Sequence, residues 1–207
     1  MQDISFILLG FFTGLSLILA IGAQNLFVIE QGLKKQYIFI VCLVCSISDL
    51  ILIFLGIFLF EYFNDFFTKQ IELVFNILLF IFLIYFIFTK IRSNYSNINF
   101  EIKSETYKLK SIFLKTLAFT YLNPHVYSDT VFFLGNLSKN FELADKYSFG
   151  IGASISSFLF FFILGYLSKF SSNYLKNPRI WKIINNFIIL FMGGIALFVL
   201  REIINYY

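Results

Sequence analysis

Six long runs almost free of charge constrain this chain more than anything else in it. They cover Ile4–Ile29, Tyr37–Phe60, Ile71–Lys90, Ile112–Leu134, Tyr147–Leu167 and Ile183–Ile204, each long enough to cross a hydrocarbon layer of roughly 30 Å. A soluble domain of 207 residues could not hide them: 59% of the chain is hydrophobic and only 14% charged, where about 25% charged is usual. Inside lipid every backbone N–H and C=O must be bonded within the protein, and nothing here alternates as a barrel strand does, so the spans are predicted to be helices. The expectation is an all-α integral membrane protein, one transmembrane domain over 1–207. The 31 phenylalanines fit a biased codon usage, so no aromatic site is read into them. The N-terminus has no basic flank and its apolar run outlasts a signal-peptide core, so no cleaved leader is expected.

Charge orients the spans. Lys34, Lys35, Lys90, Arg92, Lys103, Lys108, Lys110, Lys115, Lys169, Lys176, Arg179 and Lys182 fall on one side. Only Lys69, Lys139, Lys146 and Arg201 fall on the other. Retention of basic loops on the cytoplasmic face then puts both termini outside, given six spans. A re-entrant segment in place of one span would put the ends on opposite faces. The same distribution explains the net charge of +4 without a nucleic-acid partner.

A faint internal repeat divides the chain. Leu19-Ala20 precede Asn25 at the spacing by which Leu117-Ala118 precede Asn123, and Ser46-Ile47-Ser48 is echoed by Ser154-Ile155-Ser156. Two three-helix halves, 4–90 and 112–204, are expected, joined by a polar cytoplasmic connection at 91–111. Three spans per half force opposite orientations, the inverted-repeat plan of many secondary transporters.

Polar residues within the spans carry the functional reading. Asp49 sits mid-span, too deep for its short side chain to reach either interface; an acid there costs about 2.5–3.5 kcal/mol on insertion scales. Its helical face holds Cys42, Cys45, Ser46 and Gly56, a small stripe suited to close packing or to lining a cavity. In the fourth span, Pro124 removes a backbone donor, so the helix should break near Thr120–Pro124. Freed carbonyls are tolerable only beside protein or water. Just beyond, His125 and Asp129 are four apart and share a face, with Asn123 and Tyr127 as a second such pair. Span one has a matching weak point in Gly22-Ala23-Gln24-Asn25, where Gly22 is permissive and two amides stand in place of leucine. Two interrupted spans in corresponding halves are the sequence signature of a central transport site. The bland alternatives are an aspartate bridging two helices and a proline kink whose polar neighbours satisfy one another.

Weaker features read as packing or anchoring. Gly150, Gly152, Ser154, Ser156 and Gly193-Gly194 offer smooth helix faces, which serve internal packing or a homo-oligomer contact equally. Glu72 with Asn76 fits interfacial solvation, Asn185 and Asn186 fit cross-helix hydrogen bonds, and Trp181 an interfacial anchor.

Two buried acids against one histidine favour a cationic solute over an anion. An amino acid's ammonium would meet the acids while its carboxylate meets helix-end amides near Gly22–Asn25. The acids could also carry protons, and alternating occupancy by proton and cation would couple the two. Cys42 and Cys45 are spaced C-x-x-C but lie deep in a span, away from the polar setting that makes a reactive thiolate. A membrane thiol oxidoreductase is therefore a lesser reading than small packing side chains. One histidine and no acid-rich cluster argue against a metal site, and no cofactor is expected. A purely structural subunit remains a third class.

Three segments in order, "GAQNLFVIEQGLKKQY", "CSISDL" with "GIF" beyond it, and "TYLNPHVYSDT", resemble the signatures of the LysE-type amino-acid exporters, in particular the arginine exporter branch. The resemblance runs from Gly10 to about Arg201. It implies secondary export of L-arginine or L-lysine across a bacterial inner membrane, driven by proton gradient or membrane potential, with Asp49 and Asp129 matching the family's intramembrane acids. Relatives within the family export neutral amino acids. The first motif usually reads Gly-Pro-Gln-Asn, where this chain has Ala23, so span one is expected to break less sharply. The family often has Tyr-Leu-Asp where this chain has Tyr127-Ser128-Asp129.

Overall fold

The computed structural model describes residues 2–19, 22–66, 68–96, 108–172 and 178–206. Their backbone is helical, with no strand among them. In chain order the helices are α1 (Gln2–Ile18), α2 (Ala23–Lys34), α3 (Ile38–Phe66), α4 (Lys69–Ser96), α5 (Leu109–Tyr121), α6 (Pro124–Tyr127), a π-helical turn (Ser128–Phe133), α7 (Leu134–Ser138), α8 (Leu143–Ser171) and α9 (Pro178–Asn205). The side chains of Glu72, Trp181 and Asn185, and the middle of the 91–111 connection, lie outside the described residues.

Four of these helices are long and apolar enough to cross a membrane: Ile38–Phe60, Lys69–Thr89, Leu143–Ser171 and Asn186–Asn205. The pair α1 and α2, bent by 82°, makes a fifth if counted as one span. The six continuous spans read from hydropathy are therefore not reached among the described residues. The fourth, Ile112–Leu134, divides into α5, α6, the π turn and α7. The second ends where expected, because Leu59 leaves the helical region (φ −121°, ψ 19°). The outer faces are apolar: Ile81, Phe88, Ile163, Leu167, Phe170 and Leu197 are all exposed. Surfaces of this kind require lipid as their solvent.

Lipid tails are as apolar as leucine, so close packing rather than hydrophobic burial holds such helices together. Small residues supply it. A Cβ on Gly10 would collide with the Phe149 carbonyl, and one on Gly152 with the Ile7 carbonyl, so α1 lies directly against α8. Gly32 brings α2 against Gly165 and Ser168 of α8 in the same way. Gly56 touches Thr130 and Val131, and Gly135 touches Gly56, which seats the π turn and α7 on α3. Between α2, α4 and α5, the rings of Phe27, Phe82, Phe86 and Phe119 form a cluster with neighbouring centroids 4.7–6.4 Å apart.

The centre of the molecule is the crossing of α3 and α8. Gly165 meets Cys42, Ser157 bonds Asp49, and Gly150 meets Ile57. Rising numbers on one helix meet falling numbers on the other, so the two run antiparallel. The smooth face expected of Gly193-Gly194 is not packed: a Cβ on either would meet nothing within 4 Å. Gly194 instead borders the cavity described next.

Candidate functional site

Both expected interruptions are present, and each can be traced to its residues. At the first, α1 stops at Ile18 and α2 restarts after Gly22, the residue just before the helix, which has extended backbone (φ −114°, ψ −178°). That conformation suits any residue, so the glycine is not there for backbone freedom; the space above it is open, with nothing within 4 Å of an added Cβ. The break is sharp despite the missing proline. The side-chain amide of Asn25 donates to the Ile18 carbonyl (3.0 Å) and so satisfies an acceptor that the interruption strands.

At the second, Pro124 does not kink a continuous helix. It opens a new one, in the first-turn position where its missing N–H and fixed φ carry no penalty. Proline forces the preceding Asn123 out of the helical region (φ −86°, ψ 108°). The freed Asn123 carboxamide oxygen then accepts from the His125 N–H (3.1 Å), capping α6. The Tyr127 hydroxyl donates to the Tyr121 carbonyl at 3.0 Å. Upstream, Thr116 and Thr120 donate to the carbonyls of Ile112 and Thr116.

Between the breaks lies a cavity of about 720 Å³, within the ~300–1,000 Å³ usual for small-molecule sites. Gly22, Gln24, Asn25, Asp49, Asn123, His125 and Asp129 all border it. Tyr127 does not; it is held at Tyr121 and against the Phe75 ring. Treating Asn123 and Tyr127 as a four-apart pair assumed one helix through both. Asn123 is instead the cap that precedes the helix. Pro124 is buried behind the cavity wall as the break itself.

Asp49 is only 5% exposed, and its Oδ2 accepts a hydrogen bond from Ser157 Oγ at 2.7 Å. Asp129 is half-buried on the π turn and borders the same cavity as Asp49 and His125. The His125 ring packs against Phe198 of α9 at 5.5 Å. No lysine or arginine borders the cavity among the described residues. Two acids, one histidine and several neutral donors and acceptors give a cavity fitted to positive charge, with Leu17, Ile18, Phe187 and Phe191 as apolar wall.

Ser157 was missed from the sequence, although it follows Ser154-Ile155-Ser156 as Asp49 follows Ser46-Ile47-Ser48. Ser156, in that same repeat but read as a packing face, is also on the wall, as is Thr130, which carried no such signal. Glu30 was missed because the first span was ended at Ile29. Helix α2 continues to Lys34, and Glu30 is buried in an ion pair with Lys34 at 2.6 Å. Cys42 and Cys45 are fully buried, and the Cys42 thiol donates to the Phe161 carbonyl at 3.2 Å. Asn76 is buried rather than interfacial.

Apolar outer faces, helices that stop and restart in mid-chain, and a polar cavity where they do so define a multi-pass membrane translocator. The family model described as LysE type translocator matches residues 15–203. The chain belongs to this family. Similar proteins include one from Pectobacterium atrosepticum named arginine exporter protein ArgO, 34% identical over 93% of this chain and 95% of its own. The protein of that name from Salmonella typhimurium is 33% identical over 96% and 95%. No solved structure matches the chain significantly.

Proposed function

We propose that this protein exports L-arginine, and L-lysine beside it, across a bacterial inner membrane by secondary transport, with the proton gradient or the membrane potential as drive. The observation that carries the reading is Asp49, buried at the crossing of α3 and α8, bonded by Ser157 and facing a cavity that Asp129 also borders. A guanidinium or ammonium entering there meets Asp49 and Asp129, the two acids on the described wall, while the apolar residues suit an aliphatic stem. The names of the relatives point the same way.

The inverted-repeat reading, with halves 4–90 and 112–204, suits this mechanism. Adding 108 to 42, 49 and 57 gives 150, 157 and 165, and the contacts at the crossing exchange under that shift: Cys42 with Gly165 becomes Gly150 with Ile57, and Asp49 with Ser157 maps onto itself. Such a pseudo-symmetric centre lets two halves rock about a fixed site, opening it to each side in turn. Asp49 would then release its hydrogen-bonded state to the solute, or to a proton, in each cycle.

The test is counterflow of labelled arginine, lysine and leucine in proteoliposomes, with and without an imposed proton gradient. Arginine is expected first and lysine next. Asp49→Asn, at normal insertion, is expected to lower arginine exchange about 100-fold, as loss of a buried charge partner does. Leucine exchanging as well as arginine would move the assignment to neutral solutes, and Asp49→Asn exchanging normally would remove the acid from the mechanism.

A further inference from the structure

Away from the central cavity, the basic side of the molecule has a recess of about 380 Å³, where α2 turns into α3 beside the last turns of α8. Lys35, Tyr37 and the first residues of α3 form one wall, and Tyr166 and Lys169 of α8 form the other. The recess sits at the ends of two membrane-crossing helices, Ile38–Phe60 and Leu143–Ser171, so it lies at the border between hydrocarbon and water. Positive charge is uncompensated there. No acid lines the recess, and neither lysine has an ion-pair partner among the described residues. The Lys169 ammonium lies over the Tyr166 ring, 5.4 Å from its centre, an attraction that holds the charge at the recess. Retention of basic residues on one face explains which side the lysines occupy. It does not explain why two of them meet at one recess with two tyrosines and no acid.

The backbone gives a second, independent sign. Lys35 ends α2 in the left-handed conformation (φ 56°, ψ 32°), its N–H and that of Gln36 returning to the carbonyls of Gly32 and Gln31. Helix ends of this kind favour glycine, which has no side chain to clash. Two residues on, Tyr37 also has a positive φ (48°), an outlier for a bulky side chain. Among the described residues these are the only non-glycine positions of that kind, and both line the recess. Side chains held against such a backbone preference are characteristic of ligand clamps and switch segments.

Beside the lysines the surface becomes apolar. The Phe39 ring meets Phe162 edge-on at 5.6 Å, and Phe162 lies parallel to Tyr166 at 6.3 Å. Phe39 is exposed, as are Ile163 and Leu167 on α8. Two ammonium groups, two phenols at the border and an exposed aromatic shelf suit a ligand with a negative head and hydrocarbon chains.

We propose that this recess binds an anionic phospholipid, with its phosphate between Lys35 and Lys169, its headgroup at the hydroxyls of Tyr37 and Tyr166, and an acyl chain along Phe39 and Phe162. A basic pocket between helices at a membrane face is the usual form of such a site. The bound lipid braces the corner between α2, whose first residues border the central cavity, and α3, which carries Asp49.

Native mass spectrometry of the full chain released from detergent tests it, with dioleoyl phosphatidylglycerol and dioleoyl phosphatidylcholine as probes. One phosphatidylglycerol is expected to bind about 30-fold more tightly than phosphatidylcholine, the combined effect of two basic side chains on an anionic lipid. Lys35→Gly with Lys169→Gln should remove that preference, and glycine suits the left-handed backbone, so the turn still forms. Lys35→Arg with Lys169→Arg should keep it. So should Lys108→Gln with Lys110→Gln, which removes the same charge from the same side but outside the recess. Equal binding of the two lipids by the unaltered protein, or an equal loss in the Lys108 and Lys110 variant, would overturn the site. Displacement of phosphatidylglycerol by millimolar inorganic phosphate would make the recess a free-anion site. A dimer that dissociates in the Lys35 and Lys169 variant would make it a contact between copies of this chain. Either result overturns the lipid assignment.

Discussion

The two interruptions answer one physical problem in two ways. Each strands a carbonyl at the end of a helix, Ile18 in one and Tyr121 in the other, and in each a side chain from the restarting helix returns to bond it: Asn25 in the first, Tyr127 in the second. There the likeness ends. The second break is closed on itself, with proline fixing its start and Asn123 capping the amides. The first has no proline and no cap. A break closed by proline and a side-chain cap is a rigid corner; one whose helix start has no side-chain cap depends more on what surrounds it. The difference teaches that two interruptions in corresponding places need not be built alike, and the break alone does not make a binding element.

The largest effect should come from removing the ties that close each break. Asn25→Leu leaves the Ile18 carbonyl without this donor and is expected to cost about 2 kcal/mol of stability, read as a lowered thermal midpoint in detergent. Tyr127→Phe removes the equivalent tie at the second break. Its cost should be about 1 kcal/mol, because the fixed proline and the Asn123 cap still hold that corner. Equal losses would mean that the cap and proline contribute nothing, and the contrast between a closed and an open break would fail.

This contrast was only half legible in the sequence. Hydropathy gave the helical class, and Pro124 and Gly22 marked the right places for the interruptions, because a missing donor and a run of amides in lipid have local causes. The faint repeat aligned Asn25 with Asn123, yet the helix starts pair Gly22 with Asn123 and Ala23 with Pro124. That pairing depends on where a helix begins, which spacing alone does not reveal. Tyr127 was assigned to the cavity on the assumption of a regular helix, and the break at Asn123 together with the π turn after Tyr127 rotates the faces. Ser157 was marked only by its place after the repeat, and its role was hidden for a different reason. Its partner is 108 residues away, and nothing in the local pattern says which helix lies across from Asp49.

Converting the first break into the second is the next test. Gly22→Asn should supply the cap that α2 lacks, since space above Gly22 is open and its backbone is already extended. The helix should gain up to about 1 kcal/mol. The introduced carboxamide would also compete for the helix-end amides that the sequence reading offers to the solute's carboxylate. Arginine exchange is then expected to weaken about tenfold with no loss of folded protein, and competition by agmatine, which is arginine without its carboxylate, should be unaffected. A variant that is stabilised and transports arginine normally would show that the open start of α2 is not used by the solute.

The smallest effect is expected from the residue that the family usually has and this chain lacks. Ala23→Pro places proline at the first position of α2, the counterpart of Pro124 in α6. There the missing N–H costs nothing, because that amide has no intrahelical acceptor, and the fixed φ already suits a helix start. The bend of 82° exists without it, so proline would rigidify a corner that Gly22 and Asn25 already turn. Stability should shift by no more than about 0.5 kcal/mol, in the favourable direction through a less flexible unfolded chain, and the ratio of arginine to agmatine competition should not change. A large loss of arginine binding here, with agmatine untouched, would assign a carboxylate contact to the Ala23 amide and move the anionic end of the solute one residue toward the break.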